Sequence, residues 1–162
     1  MGLALLSLGS NIEPLRYLKA AARDLRAAFP EVRFSPVYRY RAVGFDGPDF
    51  LNAGAMLETA LSPGELNDWL HHLEDNHGRR RDVPRFSSRT LDIDLVFYDA
   101  LILEGPGNLK LPRPELKHAF VLEPLAALAP DFIEPMSGRS LAALWQAHAD
   151  HLHPAPAEER VL

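Results

Sequence analysis

The chain has 162 residues, 47% hydrophobic and 24% charged, with a formal net charge of -5, enough to bury one core and short for two. That acidic balance argues against nonspecific binding to nucleic acid or an acidic membrane, and the lack of cysteine excludes a disulfide scaffold, a thiol nucleophile and a thiolate-held metal. The apolar start LALLSLG is too short for a membrane helix and has no basic leader, so a soluble, unprocessed, cytoplasmic protein is expected.

In chain order, residues 3–8 read as a strand ending in GSN, after which Pro14 opens a helical stripe of Leu15, Leu18, Ala22, Leu25 and Phe29 that Pro30 closes. VRFSPVYRY has aromatic and β-branched strand character, with Pro36 hinting at an edge or bulge. DFLNAGAMLETAL is a second strand beyond the loop AVGFDGP. SPGE at Ser62 to Glu65 is a capping box with Pro at the first helical position. Leu66, Trp69, Leu70 and Leu73 continue one helix face as far as Gly78. An arginine-rich loop follows, then the strand RTLDIDLVFY. The order through Tyr98 is β-α-β-β-α-β, the plan of an α+β, ferredoxin-like sandwich with two helices on one side of an antiparallel sheet. Beyond it come a short strand at LILEG, a helix at FVLEPLAALAP and another near Leu141 to His148. One domain is expected over 1–162, with a βαββαβ core at 1–98, an irregular C-terminal extension at 99–162 packed on the same core, and a tail loosely ordered from about 150.

Within RTLDIDLVFYD, Leu91, Ile93 and Leu95 share one strand face and Asp92 and Asp94 the other. Their Cα atoms then lie roughly 6 to 7 Å apart, which lets two carboxylates converge on one hard cation or on a pair held about 3.5 to 4 Å apart. A solvated strand face is the plainer alternative. Between Arg79 and Arg89 stand five arginines (79, 80, 81, 85 and 89) against one acid, Asp82. Pro84, Ser87 and Ser88 make the segment a loop able to fold over a ligand. Arginine forks bind phosphate oxygens and Mg²⁺ bridges carboxylates to them, so the adjacency describes a polyphosphate site. Glu74, one turn before its helix ends, is placed to hold an arginine or a metal water. There is no Gly-x-x-x-x-Gly-Lys-Ser/Thr loop, and the seven histidines are scattered, which leaves no P-loop and no Ser-His-Asp site to argue.

EDNHGRRR and RFSSRTLDIDLVFY, with LGSN upstream and DFLNAGAMLET between, resemble the 6-hydroxymethyl-7,8-dihydropterin pyrophosphokinase family, in order over nearly the whole chain. The resemblance implies the ferredoxin-like fold and transfer of the β,γ-diphosphate of ATP to a pterin hydroxymethyl group, with release of AMP, in folate biosynthesis. It implies ATP as co-substrate and two Mg²⁺ ions held by Asp92 and Asp94. Arg79, Arg81 and Arg89 would serve the phosphates, with Arg85 and Phe86 on a mobile lid. Nucleotide contacts would also come from His71, Glu74, Lys110, Arg113 and His118. Phe50 and Phe120 would stack on the two pterin faces, Asn52 would bond its edge, and backbone groups from Tyr40 to Val43 would add contacts. Arg113 stands where the family commonly carries His, and His118 where an arginine is frequent. The expected partners are small molecules, ATP and a reduced hydroxymethylpterin, with no nucleic acid and no membrane, bound by a monomer. The alternatives are a single-stranded RNA module of the same βαββαβ plan, which predicts no carboxylate pair on its binding face, and a paralogue that acts on another reduced pterin or binds pterin or nucleotide as a regulator.

Overall fold

Strand β1 (Gly2–Ser10), the sequence GLALLSLGS, is buried along almost its whole length, and the computed structural model, which describes residues 1–78 and 88–162, builds outward from it. The chain continues through α1 (Pro14–Ala28), β2 (Val32–Phe34), β3 (Pro36–Tyr40), β4 (Phe50–Thr59), α2 (Pro63–Asn76) and β5 (Asp92–Tyr98). It ends with β6 (Leu103–Gly105), β7 (Leu109–Leu111), a 3₁₀ turn (Pro114–Lys117), α3 (Ala119–Leu128), α4 (Leu141–Gln146) and β8 (Ala157–Val161). The main sheet runs β5-β1-β4-β3-β8 with β2 also on β4, every pairing antiparallel, and β6 and β7 form a separate hairpin. The fold is mixed α+β. Among the described residues no helix is long and apolar enough to cross a membrane.

Alternation along β1 divides the core. Ala4, Leu6 and Leu8 meet α1 (Leu18, Ala21, Leu25) and α2 (Leu66, Leu70, Leu73), together with Ile93 and Leu95. Leu5, Val96 and Phe97 meet α3 (Val121, Leu122, Leu125) and Leu141 of α4. The sheet is therefore covered on both faces, and burial of these side chains contributes most of the stabilisation, about 1.5–3 kcal/mol for each large one. A register shift opposite Leu5 and Leu6 lets neighbouring Val96 and Phe97 join the same cluster, as a bulge does.

Local chemistry explains the ends of the elements. Pro14 starts α1, and the Ser62/Glu65 capping box starts α2, the Glu65 N–H donating to Ser62 Oγ at 3.2 Å and the Ser62 N–H to Glu65 Oε1 at 2.9 Å. Gly78 follows α2 at φ 79°, the left-handed conformation that glycine adopts without strain.

The structure differs from the sequence expectation in two places. VRFSPVYRY is two strands, because Pro36 brings no N–H to the ladder and Ser35 turns its hydroxyl inward to accept the Gly54 N–H at 2.8 Å. The tail expected to be loose from about 150 forms β8 against β3. Arg39 helps hold it, pairing with Glu158 at 2.6 Å and donating its N–H to the Pro156 carbonyl at 3.0 Å.

Candidate active site

Two rows of side chains cross the sheet on the face that carries α3. Register places Asp92 opposite Gly9, Gly9 opposite Asn52, and Asn52 opposite Tyr38; one step along, Asp94 faces Ser7 and Ser7 faces Gly54. The rows differ in what covers them. Over Gly54 helix α3 packs so closely that an added Cβ would stand 2.8 Å from Leu125 Cδ2. Over Gly9 there is instead a cleft of about 730 Å³, and an added Cβ would stand 2.7 Å from Asn52 Nδ2. The missing side chain at Gly9 thus leaves room for the Asn52 amide.

Asp92 and Asp94 both line this cleft, joined by Glu74. One carboxylate oxygen of each lies within 4.8 Å of the others. β5 is the last strand of its sheet, so the outward N–H of Ile93 lacks a strand partner; Glu74, 2% exposed, accepts it at 2.9 Å. That bond turns a helix carboxylate round the sheet edge into the aspartate cluster. Burial first, and then the neighbouring Asp92, push the Asp94 carboxyl well above the usual carboxylate range, with Glu74 and Glu115 adding to the rise. Arg113 opposes them, its Nη2 3.3 Å from Asp94 Oδ1 while its Nε lies 3.1 Å from Glu115 Oε2. Three oxygen donors gathered against their own repulsion, with Arg113 set against it, fit a hard divalent cation.

The other sequence-predicted residues distribute as follows. Tyr40, Val43, Phe50, Asn52, His71, Arg89, Arg113, His118 and Phe120 all line the cleft. Lys110 is not among the lining residues; it is exposed and pairs with Glu104 at 3.3 Å. Arg79, Arg81, Arg85 and Phe86 lie outside the described residues. Asn52 is 5% exposed; its Nδ2 donates to the Leu8 carbonyl at 3.4 Å, while its buried Oδ1 has no partner among the described residues. An orphaned buried amide oxygen is costly, and this one belongs to a cleft-lining residue. The His118 ring stacks on Phe120 at 4.9 Å and 12°.

Two contributors lie beyond sequence reasoning. Glu74 is read there as a helper, yet it stands with the aspartates as a third carboxylate; only the edge position of β5 reveals this. Asn11, in the motif LGSN, donates through Nδ2 to the Pro48 carbonyl at 3.0 Å and to Ser88 Oγ at 3.2 Å. It ties Pro48 to Ser88, which precedes the cleft-lining Arg89.

Comparison with known proteins gives this geometry a family. The model of the 7,8-dihydro-6-hydroxymethylpterin-pyrophosphokinase family matches residues 5–130. A 2-amino-4-hydroxy-6-hydroxymethyldihydropteridine pyrophosphokinase of Pseudomonas aeruginosa is 41% identical over 146 residues, covering 87% of this chain and 88% of its own. A Synechocystis protein of the same name is 40% identical over 145 residues, covering 87% and 73%. Among solved structures, Plasmodium falciparum HPPK-DHPS superposes with a TM-score of 0.71 at 11% identity, over 90% of this chain and 44% of that one, a likeness of fold. With its family model spanning most of the sequence and two relatives this similar over 73% and 88% of their own lengths, the chain belongs to the 7,8-dihydro-6-hydroxymethylpterin pyrophosphokinases.

Proposed function

We propose that this chain transfers the β,γ-diphosphate of ATP to the hydroxymethyl group of 6-hydroxymethyl-7,8-dihydropterin, giving AMP and the pterin diphosphate, in folate biosynthesis. The observation that carries it is one cleft holding both the Glu74/Asp92/Asp94 cluster and the unpartnered Asn52 amide oxygen. The first suits cation-bound phosphates and the second a heterocycle with N–H edges. The strand order β5-β1-β4-β3 supports reading the core as ferredoxin-like. A single domain over 1–162, a monomeric state and a cytoplasmic location belong to the same proposal.

Asp92 and Asp94 would hold two Mg²⁺, with Glu74 beside them. Bound there, the cations supply charge neutralisation for the phosphates and a lowered pKa for the attacking alcohol. The chain's own residues do the rest. Phe50 and Phe120 sandwich the pterin, and Asn52 Oδ1 accepts one of its N–H groups, which fixes the hydroxymethyl arm toward the aspartates. Arg89, 7% exposed, and Arg113 face the phosphates and stabilise charge on the leaving AMP, a role the family resemblance also assigns to Arg79, Arg81 and Arg85. Holding alcohol and β-phosphorus in line removes the entropic cost of their encounter. Closure of the loops over the cleft excludes water that would hydrolyse ATP.

The test is AMP release from ATP and Mg²⁺, with and without the pterin, with Asp92→Ala as control. Release that needs both pterin and Asp92 supports the function; no release from folded wild-type protein overturns it.

A further inference from the structure

Glu123 is a buried carboxylate for which the mechanism above has no use. It lies on α3, 6% exposed, and among the described residues no lysine or arginine forms an ion pair with it. Burying a charge without a cation is costly unless hydrogen bonds satisfy it. Its Oε1 accepts two, from the Tyr40 hydroxyl and from the Ala155 N–H, the latter at 3.2 Å. Burial and then this bond to Glu123 raise the Tyr40 hydroxyl far above the usual phenol range, so it remains a donor.

What Tyr40 touches gives the contact its meaning. Tyr40 is the register partner of Phe50 across β3 and β4, and its ring meets that of Phe120 edge-on, 6.4 Å between centroids at 67°. Its hydroxyl also reaches the Ala119 carbonyl at 3.3 Å. Phe120 and Glu123 are three residues apart on one helix and so lie on the same face of it. Tyr40 therefore meets one of the rings assigned above to the pterin faces and stands in register with the residue that carries the other. We propose that Glu123 is a positioning residue for the pterin slot: by holding the Tyr40 hydroxyl it fixes the separation of Phe50 and Phe120 before substrate arrives. The Ala155 bond ties the segment leading into β8 to the same carboxylate. Preorganisation of this kind appears in the binding of the ligand it frames, since a loose wall must be ordered on each encounter.

The proposal rests on the pterin reading, so its test reports on both. The full chain is titrated with 6-hydroxymethylpterin, followed by pterin fluorescence, and the KM values for pterin and ATP, kcat and Tm are measured for wild type, Glu123→Ala, Glu123→Gln and Tyr40→Phe. Glu123→Ala and Tyr40→Phe should each weaken pterin binding about tenfold, the scale of one charge-assisted hydrogen bond, while the KM for ATP holds. The double variant should be no worse than either single one. Glu123→Gln keeps the acceptor oxygen without its charge and should restore part of the pterin affinity lost in Glu123→Ala. If Glu123→Ala does not fold, Tyr40→Phe carries the same comparison. Unchanged pterin binding in Tyr40→Phe and Glu123→Ala overturns the inference and leaves the function standing. So does a loss that strikes ATP and pterin alike, follows Tm, and is not rescued by Glu123→Gln. Wild type that binds no pterin and releases no AMP overturns the function, and the inference with it.

Discussion

Asn11 is tied to Arg89 twice: its N–H donates to the Arg89 carbonyl at 3.1 Å, and its Oδ1 accepts the Arg89 N–H at 2.8 Å. The two residues are 78 positions apart, and the pair closes the end of β1 onto the approach to β5. Under the proposed function, the clamp gives buried Arg89 a fixed backbone from which to present its guanidinium to phosphates.

Asn11→Ala leaves the Arg89 N–H without its acceptor. The expected cost is about 1–3 kcal/mol of stability, the penalty for an unsatisfied buried donor. Catalysis should also fall, because Pro48 and Ser88 lose the same amide. Chemical denaturation and AMP release would check the two effects, and full activity with unchanged stability would contradict both.

Asp94→Asn should separate the stability of the cluster from its use. Asparagine relieves repulsion from Glu74 and Asp92 but gives up the charge pairing with Arg113, so the metal-free protein should keep its stability to within about 1 kcal/mol. Added Mg²⁺ should raise the Tm of wild type by mass action and leave the variant unmoved. AMP release should fall by at least about a thousandfold, given that bound cations supply several kcal/mol to the transition state. Thermal melts with Mg²⁺ or EDTA, read beside the assay, decide the matter.

Gly9→Ala probes the opening over the first row. The new methyl would stand 2.7 Å from Asn52 Nδ2, and the amide must swing away from its place. The strand itself accepts alanine, so the stability loss should stay near the about 1–3 kcal/mol of overpacking. The pterin KM should rise at least about tenfold with the ATP KM held. Equal pterin affinity in both proteins would remove Asn52 from the slot.

Ser62→Ala removes the α2 cap and should cost about 1 kcal/mol while leaving kcat intact. Glu65, the other half of the box, has its carboxyl held below the ordinary 4.5 by the backbone N–H of Ser62 and then by the Ser62 hydroxyl. A carboxylate lowered on folding contributes stability that is fully present above 4.5 and lost as pH falls through its folded value. The gap between wild type and Ser62→Ala should thus narrow below about pH 4.5. Denaturation at pH 7 and pH 3.5 tests the sign.

Asp92 and Asp94 are legible in the sequence because the strand period of two is a local rule, blind to what the rest of the chain does. α1 and α2 are legible for the same reason, their stripes and caps lying within a few residues. Glu74 is different: its direction depends on β5 being the outermost strand, which is decided by pairing among segments far apart. The break at Ser35 escapes too, since the compensating donor is Gly54 on another strand. β8 escapes because AEERV has too few apolar residues to announce a strand, and it forms by borrowing the outer ladder of β3. Tyr40 is placed in the cleft by the family motif, whereas its bond to Glu123 is purely three-dimensional.

β8 also has a consequence for how copies of the chain treat one another. A strand at the rim of a sheet offers unpaired N–H and C=O groups as a template for any passing strand. Here β8 lies along β3 on one side, and at the other rim Glu74 accepts an outward N–H of β5. Cutting the chain before Ala157 would bare β3, and light scattering should then find more concentration-dependent self-association than for the intact chain. In the intact chain β8 is the outermost strand on that side, and its short, charge-rich run AEERV is a poorer template for another copy than the longer backbone it covers.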